Sequence, residues 1–281
     1  MKKYLLGQYE KSMPENLSWI EKLTLSKEFG FDYLEISIDE KDEKLKRLNW
    51  SLNQRKEVVD AIYKSGQKIN TMCLSGHRRF PLGHLNKEIQ KHSLEIMRKA
   101  IDLSSDLGIR IIQLAGYDVY YETSSDETKK IFENNLKQCV ELASRKGVIL
   151  AFETMETSFM DTVEKSMEYV KKINSPYLGV YPDIGNLKNA SVKYNKSVKD
   201  DLETGKGHIF AAHLKETIPN HYREVEFGTG HTEYVENLKV LKGMGVSMFT
   251  GEFWYVNNEN WKEVCLNGCK FLRDKLNKVF E

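Results

Sequence analysis

Eight short runs rich in β-branched and aromatic residues, each followed by a longer stretch with apolar residues three and four apart, restrict this chain to alternating strands and helices. The runs are Tyr4–Tyr9, Tyr33–Ile38, Lys68–Leu74, Ile109–Leu114, Val148–Glu153, Leu178–Pro182, Ile209–Leu214 and Ser247–Phe253. Between them, Trp19, Ile20 and Leu23, or Leu94, Met97, Ala100, Ile101 and then Leu107, repeat at the spacing of one helix face. Gly30, Gly66, Gly108, Gly147 and Gly245 precede strands, where glycine ends a helix in the left-handed conformation at no Cβ cost. Eight such units without a proline-rich hinge predict an α/β fold, a single (β/α)8 barrel over residues 1–281, and the 281-residue length suits one barrel domain. An open sheet would bring a nucleotide fingerprint, and neither G-x-G-x-x-G nor G-x-x-x-x-G-K-[ST] follows any strand.

Charge narrows the partners. Forty-two basic residues against 41 acidic ones give a formal net charge of +1, without a long run of either sign. A polynucleotide or an anionic membrane is therefore not the expected partner, whereas a local basic pocket for a small anion is compatible with this balance. The start, Met1 to Gly7, has only a short apolar run, and no stretch approaches the roughly 18 apolar residues of a membrane span, so the expectation is a soluble, cytoplasmic protein. Cys73, Cys139, Cys265 and Cys269 include no C-x-x-C pair and read as small core residues.

Polar residues stand at the ends of the last four strand candidates: Glu153, Asp183, His213 and Glu252. Singly, each has a plain structural role, such as Asp183 capping the turn Ile184-Gly185-Asn186 or His213 bonded to a carbonyl in the core. Together, in a barrel, they converge on one rim, where active sites are built from several strands. Three carboxylates and an imidazole suit manganese, cobalt, zinc or magnesium, with coordination positions left for substrate oxygens.

Longer stretches carry a resemblance. Cys73-Leu74-Ser75-Gly76-His77-Arg78-Arg79-Phe80-Pro81-Leu82-Gly83, Ile112 to Tyr121, Tyr181-Pro182-Asp183-Ile184-Gly185-Asn186-Leu187, His213-Leu214-Lys215-Glu216-Thr217 and Phe227-Gly228-Thr229-Gly230 resemble the L-ribulose-5-phosphate 3-epimerases of pentose and ascorbate breakdown, within the wider xylose-isomerase-like TIM barrels. The resemblance runs from the Gly7-Gln8-Tyr9-Glu10-Lys11 stretch to Glu252-Phe253-Trp254. Two departures stand out: Thr229 where an acidic residue is expected, and Thr250-Gly251 where a bulkier apolar approach to Glu252 is expected.

The resemblance implies inversion at C3 of a ketopentose 5-phosphate, L-xylulose 5-phosphate to L-ribulose 5-phosphate, and it suggests a homodimer. A hydrogen beside a carbonyl is weakly acidic, and a divalent ion acting as Lewis acid would stabilise the developing enediolate. Inversion needs one group to take a proton from one face and a second to deliver one to the other, roles that fall to Glu153 and Glu252, with Asp183 and His213 as pure ligands. For the phosphate the chain offers His77, Arg78, Arg79 and Lys215. Asn186 and Gln113 have turn or packing roles as alternatives to sugar contacts, and Tyr117, Tyr120 and Tyr121 read as covering the rim. The metal set equally admits another sugar isomerase, a ketose 3-epimerase for an unphosphorylated sugar or a dehydratase, whereas the intact pair Glu153 and Glu252 argues against a non-catalytic sugar-phosphate sensor, which needs no two acid–base groups. A DNA-repair endonuclease of related fold is disfavoured by the small net charge.

Overall fold

The strands run parallel, and parallel neighbours need a crossover connection, which helices supply throughout. The computed structural model describes residues 2–281. Its strands are β1 (Leu5–Tyr9), β2 (Tyr33–Ile38), β3 (Lys68–Leu74), β4 (Ile111–Ala115), β5 (Ile149–Glu153), β6 (Leu178–Val180), β7 (Ala212–Leu214) and β8 (Met248–Gly251). The helices are α1 (Trp19–Glu28), α2 (Asp42–Leu45), α3 (Leu52–Ser65), α4 (Lys87–Leu107), α5 (Asp126–Lys146), α6 (Val163–Ile173), α7 (Ile184–Tyr194), α8 (Val198–Thr204), α9 (Tyr234–Gly243) and α10 (Trp261–Phe280). Among the described residues no helix is long and apolar enough to cross a membrane.

Pairing follows the order β6-β5-β4-β3-β2-β1-β8-β7. The two outer strands meet through the bridges Val180↔Ile209 and Asp183↔His213, so the sheet curls into a barrel. The expected seventh strand, Ile209–Leu214, forms a regular ladder only over Ala212–Leu214. Its first residues pair with β6 through the single bridge at Ile209, where the Phe210 amide donates to the Val180 carbonyl at 3.1 Å, and the Phe210 ring fills the space over Gly179, where an added Cβ would lie 2.3 Å from it.

Helix ends follow local chemistry. Ser18, Ser51 and Ser125 open α1, α3 and α5 with reciprocal side-chain bonds to Glu21, Gln54 and Thr128. All five glycines read as junctions have positive φ. Asn174 and Asn195 close α6 and α7 in the same left-handed region, a role that a search for glycine alone overlooks.

Side chains alternate between the two faces of each strand, and this sorts the core. Ile112, Leu150 and Phe152 face the helices within the large outer core, while Ile111, Ile149, Ala151, Tyr181 and Ala211 form the apolar floor of the barrel interior. Tyr33 crosses that interior beside Gly7, where a Cβ would lie 2.2 Å from the ring. Continuing the same alternation upward places Glu35, Thr71, Gln113, Glu153, His213 and Thr250 in the upper interior, all buried. A polar layer thus lies directly above an apolar one. The approach through Thr250-Gly251 also gains its reason here: Thr250 Oγ1 lies 2.8 and 2.7 Å from the Tyr33 and Tyr181 hydroxyls, and Gly251 leaves room for Leu272.

Candidate metal and proton-transfer site

Glu153 is the last residue of β5, Asp183 the N-cap of α7 after β6, His213 the middle of β7, and Glu252 the first residue past β8. One ligand atom from each falls within 4.8 Å of every other. Asp183 serves two purposes at once: Oδ1 accepts the Asn186 amide at 2.8 Å and caps α7, while Oδ2 faces the cluster. His213 Nδ1 lies 3.4 Å from Glu153, 3.8 Å from Asp183 and 3.3 Å from Glu252.

The cluster's electrostatics favour a cation. Burial and the charge of Glu252 push the Glu153 carboxyl up, and burial together with both glutamates brings Asp183 up to about 7 despite Lys215. Burial also acts on Glu252, but Lys215 and His213 outweigh it and hold its carboxyl well below the usual range. Burial opposes charge on His213, yet Glu35, Glu252 and Glu153 lift its imidazole well above the ordinary value. Asp183 Oδ2 and Glu252 Oε2 are buried without a well-directed hydrogen bond, although the Lys215 ammonium stands 3.0 and 3.1 Å away. Unsatisfied carboxylate oxygens converging with an imidazole nitrogen fit a divalent cation in charge and in donor type.

Around this cluster lies a small cavity, partly open to solvent. Tyr9, Cys73, Met155 and Trp254 form apolar parts of its wall, and Lys11, Arg78 and Arg223 bring positive charge. Arg78 stacks over Tyr120 at 4.7 Å and lies 3.5 Å from Glu40, while Arg223 reaches Glu156 at 3.3 Å. Both arginines are thus held by single carboxylates at the pocket.

The expected phosphate contacts divide. His77 is buried away from the cavity, with Nε2 3.1 Å from the Ser93 carbonyl, because the short helical turn over Gly76–Arg78 directs it under α4. Arg79 points outward, half exposed, pairing with Asp42 at 2.7 Å and covering Phe80. Neither lines the cavity, where the sequence had them as phosphate contacts. Lys215 does line it, but its ammonium is engaged by Asp183 and Glu252 rather than by Glu216, whose carboxylate accepts the backbone amides of Thr217, Gly228 and Thr232. Of the tyrosines, Tyr117 is buried, Tyr120 bonds Glu156 at 2.9 Å and Tyr121 bonds Glu40 at 3.0 Å, so they brace the rim loops. Gln113 packs its amide nitrogen 3.1 Å from His213 Nδ1, and Asn186, besides lining the cavity, donates to the Thr154 carbonyl at 2.8 Å.

Lys11, Arg223 and Glu35 are additions to the sequence reading. Arg223 lies in a loop without a distinguishing pattern, and Lys11, within the Gly7–Lys11 stretch of the resemblance, sits in the short 3-10 turn Glu10–Ser12, whose side-chain directions no periodicity reveals. Glu35 did carry a signal: Tyr33, Glu35 and Ser37 alternate inward on β2, so a charged side chain had to enter the barrel.

Comparison with known proteins agrees with this architecture. Residues 23–275 match the family model described as xylose isomerase-like TIM barrel. The L-ribulose-5-phosphate 3-epimerase UlaE of Salmonella heidelberg is 44% identical over 256 residues, covering 91% of this chain and 89% of that protein. Its counterpart in Shigella flexneri is 41% identical over 275 residues, covering 98% and 95%. Among solved structures, D-allulose 3-epimerase from Methylomonas sp. in complex with D-allulose superposes with a TM-score of 0.80 at 15% identity, covering 98% of each chain, a likeness of fold.

Proposed function

The chain belongs to the L-ribulose-5-phosphate 3-epimerase family within the xylose isomerase-like TIM barrels, and on that premise we propose that it inverts C3 of a ketopentose 5-phosphate, interconverting L-xylulose 5-phosphate and L-ribulose 5-phosphate. As a member of that family it is a carbohydrate epimerase; the substrate and the residue roles below are the proposed part. The observation that carries the reading is the convergence of Glu153, Asp183, His213 and Glu252 beneath a cavity whose wall also holds Lys11, Arg78 and Arg223. Glu153, Asp183, His213 and Glu252 would hold a divalent ion, manganese, cobalt, zinc or magnesium, which supplies Lewis acidity for negative charge developing on substrate oxygens.

The remaining work falls to side chains. β5 and β8 are separated around the barrel by β6 and β7, so Glu153 and Glu252 reach the cavity from different sides. One takes the C3 proton and the other delivers a proton to the opposite face, and each reverses its role in the back reaction. Lys215, buried between Asp183 and Glu252, keeps positive charge beside the reacting carbons, where an enediolate gathers negative charge. Tyr9 and Trp254 wall the cavity near His213 and limit water access to the intermediate.

Proton NMR in D2O with L-xylulose 5-phosphate and the manganese-loaded protein tests the reading. Deuterium at C3 together with the appearance of L-ribulose 5-phosphate is expected; an unchanged C3 signal overturns the substrate assignment.

The phosphate end falls to Arg78 and Arg223, with Lys11 as a further positive charge. A charge-assisted bond is worth about 1.5–3 kcal/mol, so Arg78→Ala and Arg223→Ala should each raise KM for the phosphorylated ketose about 10- to 100-fold. KM for the unphosphorylated ketose should hardly move. An equal rise for both sugars would remove the arginines from phosphate recognition.

A further inference from the structure

The structure assigns Glu35 as a positioning residue for the metal centre: its carboxylate holds Nε2 of His213 so that only Nδ1 faces the three carboxylates. The inference rests on the metal reading above and goes beyond it, since Glu35 is no ligand and touches no substrate. His213 Nε2 lies 2.7 Å from Glu35 Oε1, and both side chains are fully buried. An imidazole has two nitrogens, and the hydrogen bond made by one decides what the other can offer a metal. With Nε2–H donating to Glu35, the ring is fixed in rotation and Nδ1 is the nitrogen aimed at Glu153, Asp183 and Glu252.

Glu35 is itself held. Its second oxygen accepts from the Thr71 hydroxyl at 2.6 Å and the Tyr181 hydroxyl at 3.1 Å. Tyr181 continues to Thr250, and its ring meets the His213 ring edge-on with centroids 5.0 Å apart. A carboxylate on the floor side of an acidic cluster adds repulsion that a purely packing role would not require. Its placement on the histidine, rather than among the four converging residues, gives it a consequence for metal affinity: a negative charge behind the ring makes Nδ1 a stronger donor.

Cobalt binding by the complete chain separates this role from packing. Glu35→Gln keeps the shape and removes the charge, and partners of this kind typically change metal affinity about 10- to 100-fold. The expected result is a cobalt Kd raised by that factor, with an altered visible absorption of the bound ion. Tyr181→Phe supplies the control, because it removes one hydroxyl from the same buried network and leaves the Glu35–His213 bond in place. It should lower the melting temperature of the metal-free chain while leaving the cobalt Kd and spectrum near those of the wild type. Glu35→Gln binding cobalt as tightly as the wild type, or Tyr181→Phe weakening it equally, overturns the assignment to Glu35 alone. A wild-type chain that binds no cobalt overturns the metal reading and this inference with it.

Discussion

Glu153→Gln and Glu252→Gln are each expected to lower the turnover of net epimerisation by about 10²- to 10⁴-fold, the usual contribution of a positioned acid–base group. Both carboxylates lie inside the described cluster, and neither anchors a backbone amide by its side chain, so the amide variants should keep the circular dichroism of the native barrel. The two-base arrangement makes a sharper demand than loss of activity. Removing one base leaves the other able to abstract a proton from the epimer it faces, so each variant should still exchange C3 hydrogen with D2O on one pentulose phosphate. The exchanging epimer should be opposite for the two variants. Near-normal epimerisation by either one would break the pairing of roles. Metal content has to be measured alongside, because both residues are also proposed ligands; loss of exchange on both sugars with full metal occupancy would contradict the assignment of one face to each glutamate.

The distinction between what a local pattern fixes and what it leaves open runs through this molecule. Strand positions followed from β-rich runs bounded by glycine, and the glycines do close or follow helices with positive φ. The four converging residues were legible because strand ends in a barrel share one rim, a consequence of topology alone. Side-chain direction in loops was not legible: His77, Arg78 and Arg79 are consecutive, yet one faces α4, one the cavity and one solvent. A turn three residues long sends successive side chains in different directions, and the sequence gives no phase for it. Lys215 shows the same limit: it lines the cavity, but its ammonium stands against Asp183 and Glu252 from other strands, while the adjacent Glu216 is spent on three backbone amides. Glu35 falls under the period-two pattern that sorts the rest of the interior, because the alternation of a strand turns a charged side chain inward as readily as an apolar one.

Glu10→Gln should destabilise the fold by about 3–5 kcal/mol near neutral pH, the cost of leaving buried partners of an ion pair uncompensated. Glu10 is 1% exposed and accepts from Lys22 at 2.7 Å, Lys44 at 3.2 Å and both terminal nitrogens of Arg47 at 2.6 and 2.7 Å, as well as from the Ser37 amide at 2.9 Å. Lys22 and Lys44 are buried as well, so without the carboxylate two ammonium groups and a guanidinium would face each other with little solvent. Burial alone would raise the Glu10 carboxyl, but Arg47, Lys22 and Lys44 outweigh it and hold it well below the ordinary glutamate value. A carboxyl depressed on folding contributes stability above its unfolded value and loses it as the pH falls toward its folded one. The gap in urea midpoint between the wild type and Glu10→Gln should therefore be widest near neutrality and shrink in acid; a gap that is small, or that does not vary with pH, would mean that the carboxylate contributes little beyond its shape. The consequence reaches the cavity, because Glu10 stands between Tyr9 and Lys11, both of which line it, and Lys11 is itself tied to Asp39 at 2.5 Å. By joining the loop after β1 to α1, α2 and the Ser37 amide, this one buried anion sets where two walls of the pocket stand.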